Sequence, residues 1–173
     1  MSPVVKVPLK YGVLAGIIAS GLLTALYYLD RHPFLIPVYL DFRIILFGIF
    51  IFFVLREIRD YHQGGILYFS QGIVASFLFT VCYATVTSLF IVGFTQLVPE
   101  FLASYISLQT EQLTSLSDQV IESIGRDVYQ RNLELLPSTN AYELGQTYFV
   151  QSFLISFFIS IILSVTLRRQ PKP

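Results

Sequence analysis

The chain has 173 residues, 54% hydrophobic and only 13% charged, and its 11 basic and 11 acidic residues cancel. A soluble domain carries about a quarter charged residues, so this composition excludes an ordinary soluble domain. There is no basic stripe and no alternation of basic and aromatic residues, which argues against nucleic acid as a partner.

The charge deficit is local. Residues 11–29 hold no charge over 19 positions, residues 70–99 none over 30, and residues 148–167 none over 20. At about 1.5 Å per helical residue, each run approaches or exceeds the roughly 30 Å hydrocarbon core of a bilayer. The expected fold is all-α: an integral membrane bundle of four transmembrane helices, one membrane domain over 1–173, with amphipathic helices between spans three and four. Lipid bilayer contact follows directly.

The first span is expected at about 7–29, closed by Asp30-Arg31-His32-Pro33. A cleaved signal peptide is the competing reading, since Lys6 and Lys10 precede the apolar run. The run is long for a signal core, and bulky Leu26, Tyr27 and Tyr28 stand where small residues would mark cleavage. A retained span is therefore expected. The second span, about 37–58, has a clean apolar core only at 44–55. Pro37 suits a first helical turn. Asp41 would sit near a helix N-terminus and Arg43 would snorkel to the interface. Rich in Phe and Ile, this span is expected to face lipid or sit at the periphery.

Gly64-Gly65 breaks the chain, and Ser70 is the expected N-cap of a third span at about 70–97. Pro99 either kinks that helix or begins another. The stretch 99–145 differs in kind, with seven acidic residues against Arg126 and Arg131. Leu113, Leu116, Val120, Ile124 and Val128 recur at a helical period. One or two amphipathic helices are expected, interrupted near Gly125 and at Pro137-Ser138-Thr139. Asn140 with Glu143 has the form of a capping box opening the last helix. The fourth span, about 146–167, stops at Arg168-Arg169.

Basic residues near span ends set orientation. With both termini and the turn at 56–63 on one side, that side holds Lys6, Lys10, Arg56, Arg59, Arg168, Arg169 and Lys172. The other holds Arg31, Arg43, Arg126 and Arg131. Both termini are thus expected in the cytoplasm and the acidic segment beyond the far face.

Small residues recur every fourth position in three spans: Gly12, Gly16, Ser20 and Thr24; Gly72, Ser76, Thr80, Ala84 and Ser88; Ser152, Ser156, Ser160 and Ser164. Such spacing follows one slowly winding helix face. In lipid, small faces let backbones approach, so these are expected helix-packing seams rather than a polar path or docking face. Transporters and proton relays place ionisable residues at depth, and spans one, three and four carry none. An intramembrane protease needs a base or metal ligands there. The serines of the fourth span have no base beside them within the membrane. Cys82 is a single cysteine, so no disulfide forms within the chain. His32 and His62 fall on opposite sides and cannot share a metal. No catalytic residue, metal site or cofactor is expected. The acidic segment does not match a calcium loop.

At the membrane edges, Arg43, Arg56 and Arg59 either contact lipid headgroups or a partner, or anchor the second span through local pairs such as Arg56 with Asp60. The sequence around them reads Phe42-Arg43, then Phe50-Ile51-Phe52, then Arg56-Glu57-Ile58-Arg59-Asp60-Tyr61, then Gly64-Gly65-Ile66-Leu67-Tyr68-Phe69-Ser70-Gln71-Gly72. This resembles a family of four-span membrane proteins from Bacteroidetes, domain of unknown function 4199, along nearly the whole chain. Gly72 departs from the alanine of the family's Phe-x-x-Ala pattern. The resemblance implies the inner membrane of a Gram-negative cell, a periplasmic outer segment, and genes for envelope-glycan or polyprenyl-linked glycosyl transfer nearby. It implies no activity. The expected function is a non-enzymatic accessory or scaffold subunit of an envelope complex, meeting a membrane-protein partner or its own copies. The alternative is a small transporter, flippase-like subunit or oligomeric pore.

Overall fold

Charge-free apolar runs leave the backbone of these segments one way to satisfy its polar groups in lipid, which is the helix. The computed structural model describes residues 2–170, Val38 by its backbone alone. Lys172, counted above on the basic side, lies outside the described residues. Seven α-helices follow in order: α1 (Pro3–Tyr28), α2 (Phe42–Glu57), α3 (Phe69–Leu97), α4 (Pro99–Thr114), α5 (Asp118–Ile124), α6 (Arg126–Leu135) and α7 (Ala141–Leu167). A π-helical turn at Ile58–His62 extends α2. Three of them, α1, α3 and α7, are long and apolar enough to cross a membrane.

Local chemistry sets the helix ends. At the end of α1 the Arg31 N–H donates to the Leu26 carbonyl (3.0 Å) and the Asp30 N–H to the Tyr27 carbonyl (3.2 Å). This Schellman arrangement puts Asp30 at φ 56°, a left-handed position more usual for glycine. Pro99 starts a new helix: Val98 breaks from helical geometry with φ −127° and ψ 80° between α3 and α4. Gly125 at φ 97° separates α5 from α6. The Asn140 side chain accepts from the N–H groups of Tyr142 and Glu143, and Glu143 accepts from the Asn140 N–H. The third span opens two residues before Ser70, with Tyr68 as N-cap, and the Gln71 side chain accepts the Tyr68 N–H.

The helices pack around α3. Gly12 of α1 lies against Cys82 and Phe79, and Gly16 against Val86 and Tyr83, so α1 and α3 run parallel. On its other flank α3 meets α7 antiparallel: Gly72 faces Ser164, Thr80 bonds Ser156, and the Ser88 hydroxyl donates to the Gly145 carbonyl at 2.9 Å. Because α1 and α3 are parallel, the intervening chain must return along the bundle, and α2 with its π turn makes that return. Its start touches the early part of α7 through Arg43, and Arg59 reaches the last residue of α7, Leu167. An antiparallel bridge between Leu67 and Arg169 joins the α2–α3 turn to the end of α7.

The peripheral placement expected for the second span is corrected here. Phe47, Ile51, Val54, Leu55 and Ile58 are fully buried in the core, while Ile45, Ile49 and Phe53 face outward. The α-helix is also shorter than expected, 16 residues beginning at Phe42. The 37–41 stretch instead contains a single 3-10 turn and the Asp41 cap.

Candidate functional site

The buried charges lie where α2 begins. Asp41 is the N-cap of α2, and its carboxylate accepts the Arg43 backbone N–H at 2.9 Å. The same carboxylate takes the Arg43 guanidinium through Nε (2.7 Å) and Nη2. Nη1 donates to the Tyr148 carbonyl and Ser152 hydroxyl, both at 3.4 Å, and Nη2 to the Gln151 side chain at 3.0 Å. The guanidinium also lies 4.3 Å from the centre of the Tyr148 ring, a cation–π distance. Arg43 is 5% exposed. The expectation that it snorkels outward is therefore overturned: a carboxylate two residues away and polar groups on α7 offer more than the headgroups do.

From this pair the polar contacts continue inward. The Tyr148 and Tyr83 hydroxyls bond at 2.9 Å, and Tyr83 packs against Phe47 at 4.8 Å between ring centres. The network thus joins α2, α3 and α7. Beyond it, Ser156 bonds Thr80 and lies 3.3 Å from the Ser160 hydroxyl. Ser20, Ser76 and Ser152 return their hydroxyls to carbonyls four residues back, those of Gly16, Gly72 and Tyr148. Ser76, Thr80, Ser152, Ser156 and Ser160 are all buried between helices. A methyl group on Gly12 would come within 2.7 Å of the Cys82 Cβ, on Gly16 within 2.8 Å of Val86, and on Gly72 within 2.7 Å of the Ser164 hydroxyl.

A second polar group sits at the basic end. Arg59 binds Asp60 (2.6 Å) and donates to the Leu167 carbonyl (3.4 Å), placing a cation on the C-terminus of α7 as the helix dipole favours. Arg56 is freer. It is 54% exposed and meets Asp60 at 3.5 Å. The Tyr11 hydroxyl donates to Glu57 at 2.7 Å across the α1–α2 contact. The three arginines thus have three settings: Arg43 inside the bundle, Arg59 on a helix end, and Arg56 at the surface.

At the opposite end, an aromatic cluster carries a histidine that sequence reasoning placed in a loop without a role. His32 is 7% exposed, packed on Phe101 (4.7 Å), Tyr105 (5.5 Å) and Tyr27 (6.2 Å). Its Nε2 is 3.1 Å from the Phe101 carbonyl, which can only accept, so Nε2 carries the hydrogen. Nδ1 is buried without a partner among the described residues. Burial pushes the imidazole below its ordinary range, and the Phe101 bond opposes this only in part. These contacts fasten α4 to the α1–α2 loop.

Among the described residues no cluster of three or more His, Cys, Asp or Glu could hold a metal ion. Comparison with curated proteins and with solved structures gave no match. Residues 10–169 match the family described as protein of unknown function (DUF4199), and the chain belongs to that family.

Proposed function

We propose that the protein is a non-enzymatic accessory or scaffold subunit of an envelope complex in a bacterial inner membrane. In this reading α2 and its π turn complete a fourth crossing, both termini are cytoplasmic, and α4–α6 lie in the periplasm. The parallel packing of α1 and α3 supports the fourth crossing, because the chain must travel back between them. A 16-residue helix spans roughly 24 Å at about 1.5 Å per residue, and the five-residue turn adds to it.

The observation that carries the accessory role is the outer unit. α5 and α6 expose Val120, Ile124, Val128 and Leu135 on an otherwise acidic segment. Below them the small faces of α1, α3 and α7 are taken up by contacts within the chain, as packing seams. In this reading the partner meets the exposed apolar residues of α5 and α6, outside the packed seams.

The test is purification from native membranes in mild detergent with mass spectrometry of what co-purifies. A stoichiometric partner, lost on Ile124→Asp with Val128→Asp while the bundle stays folded, is the expected result. Recovery alone as a defined homo-oligomer that passes solute or lipid in liposomes would replace this reading with a pore or transporter.

A further inference from the structure

A groove of about 570 Å³ opens between α1 and α2 at the basic end, lined by Tyr11, Phe53, Arg56, Glu57 and Tyr61. We infer that it seats the phosphate headgroup of an anionic glycerophospholipid, with an acyl chain lying along the two helices above it. Two cations serve the headgroup. Arg56 is half exposed with one long contact to Asp60. Lys10 is exposed beside the groove, its ammonium 5.4 Å from the centre of the Tyr11 ring, and has no ion-pair partner among the described residues. Glu57 also lines the groove. Its carboxylate accepts the Tyr11 hydroxyl at 2.7 Å and lies 4.0 Å from His62 Nε2, and Lys10 and Arg56 together outnumber it at the groove.

The tail has a track of its own. On α2, Phe53, Ile49 and Ile45 recur every fourth residue and are all exposed, so they form one outward stripe leading from the groove. On α1, Leu14, Ile18 and Leu22 continue outward from Tyr11 in the same way. The π turn at Ile58–His62 is the second observation. Such turns interrupt regular helix at a cost and occur often at functional sites, and this one brings Tyr61 to the groove. A free phosphate would use the cations and leave the apolar track idle, so the lipid is the occupant that uses both.

Native mass spectrometry of the full chain in detergent, titrated with phosphatidylglycerol, phosphatidylcholine or inorganic phosphate, tests this. One phosphatidylglycerol should be retained in preference to phosphatidylcholine, and inorganic phosphate should not displace it. Lys10→Gln with Arg56→Gln should weaken phosphatidylglycerol roughly 30-fold, about fivefold for each basic residue near a membrane surface. Arg126→Gln, on the outer segment, should leave binding unchanged. Equal retention of the two lipids, full retention by the double variant, or displacement by inorganic phosphate would each overturn the inference. The lipid comparison on the unaltered protein decides the matter even where the double variant does not fold.

Discussion

Replacing Asp41 by alanine should be among the most damaging single changes in the bundle. The carboxylate caps α2 through the Arg43 N–H and neutralises a guanidinium that is 5% exposed. Loss of an N-cap costs about 1 kcal/mol, and stranding a buried charge costs about 3–5 kcal/mol. Since one group does both jobs, the expected loss is about 4 kcal/mol. Asp41→Asn keeps an acceptor for the cap and should lose about 3 kcal/mol, the charge contribution alone. Asp41→Asn together with Arg43→Met removes both charges. Gln151 is only partly buried, and Ser152 keeps its bond to the Tyr148 carbonyl at 2.8 Å. The pair should therefore fall within about 1 kcal/mol of the unaltered protein. Reversible unfolding in mixed micelles, titrated with a denaturing detergent and followed by circular dichroism, gives each value. An Asp41→Asn cost below about 1 kcal/mol, or a double variant less stable than that single one, would refute the reasoning.

Three further outcomes are expected. Gly12→Ala should cost about 1–3 kcal/mol by overpacking against Cys82 and Phe79, whereas Gly21→Ala, with open space around it, should be neutral or slightly stabilising in the same unfolding assay. Ser156→Leu with Ser160→Leu should force α3 from α7 and abolish a folded monomer in detergent; normal elution and helicity would contradict a close seam there. His32 binds its proton less readily folded than unfolded, so stability is fully present above the unfolded value of about 6.5 and falls as pH drops through it. Hydrogen exchange across 98–105, divided by the intrinsic amide rate at each pH, should show protection falling between pH 7.5 and 5.5, and His32→Phe should remove that dependence; an unchanged slope in the variant would assign it to other groups.

Much of the architecture could be read from residues with local meaning. Charge-free length marks α1, α3 and α7, and Asn140 with Glu143 opens α7 in a box whose bonds lie within four residues. Gly125 and Pro137 interrupt the outer segment for reasons of backbone geometry alone. The burial of α2 was hidden for a physical reason. In lipid both faces of a helix are apolar, so Phe47, Ile51, Val54 and Leu55 inside cannot be told by hydropathy from Ile45, Ile49 and Phe53 outside. The partners of Arg43 were hidden by distance along the chain, since Tyr148, Gln151 and Ser152 lie more than 100 residues away. His32 was hidden similarly: its acceptor, the Phe101 carbonyl, belongs to a helix 69 residues on.

That separation imposes an order of events during biosynthesis. In the four-crossing reading proposed above, Arg43 enters the membrane well before α7 has been made, and a lone guanidinium there is costly. Asp41, two residues away, is the one charged partner that emerges with it. We expect the carboxylate to escort the guanidinium until the last helix arrives and supplies the Tyr148 face, the Gln151 amide and the Ser152 hydroxyl. A chain ending at residue 140 should then tolerate Arg43 when Asp41 is present and be cleared by membrane proteolysis when Asp41 is alanine. Equal survival of the two would mean that insertion does not depend on this escort.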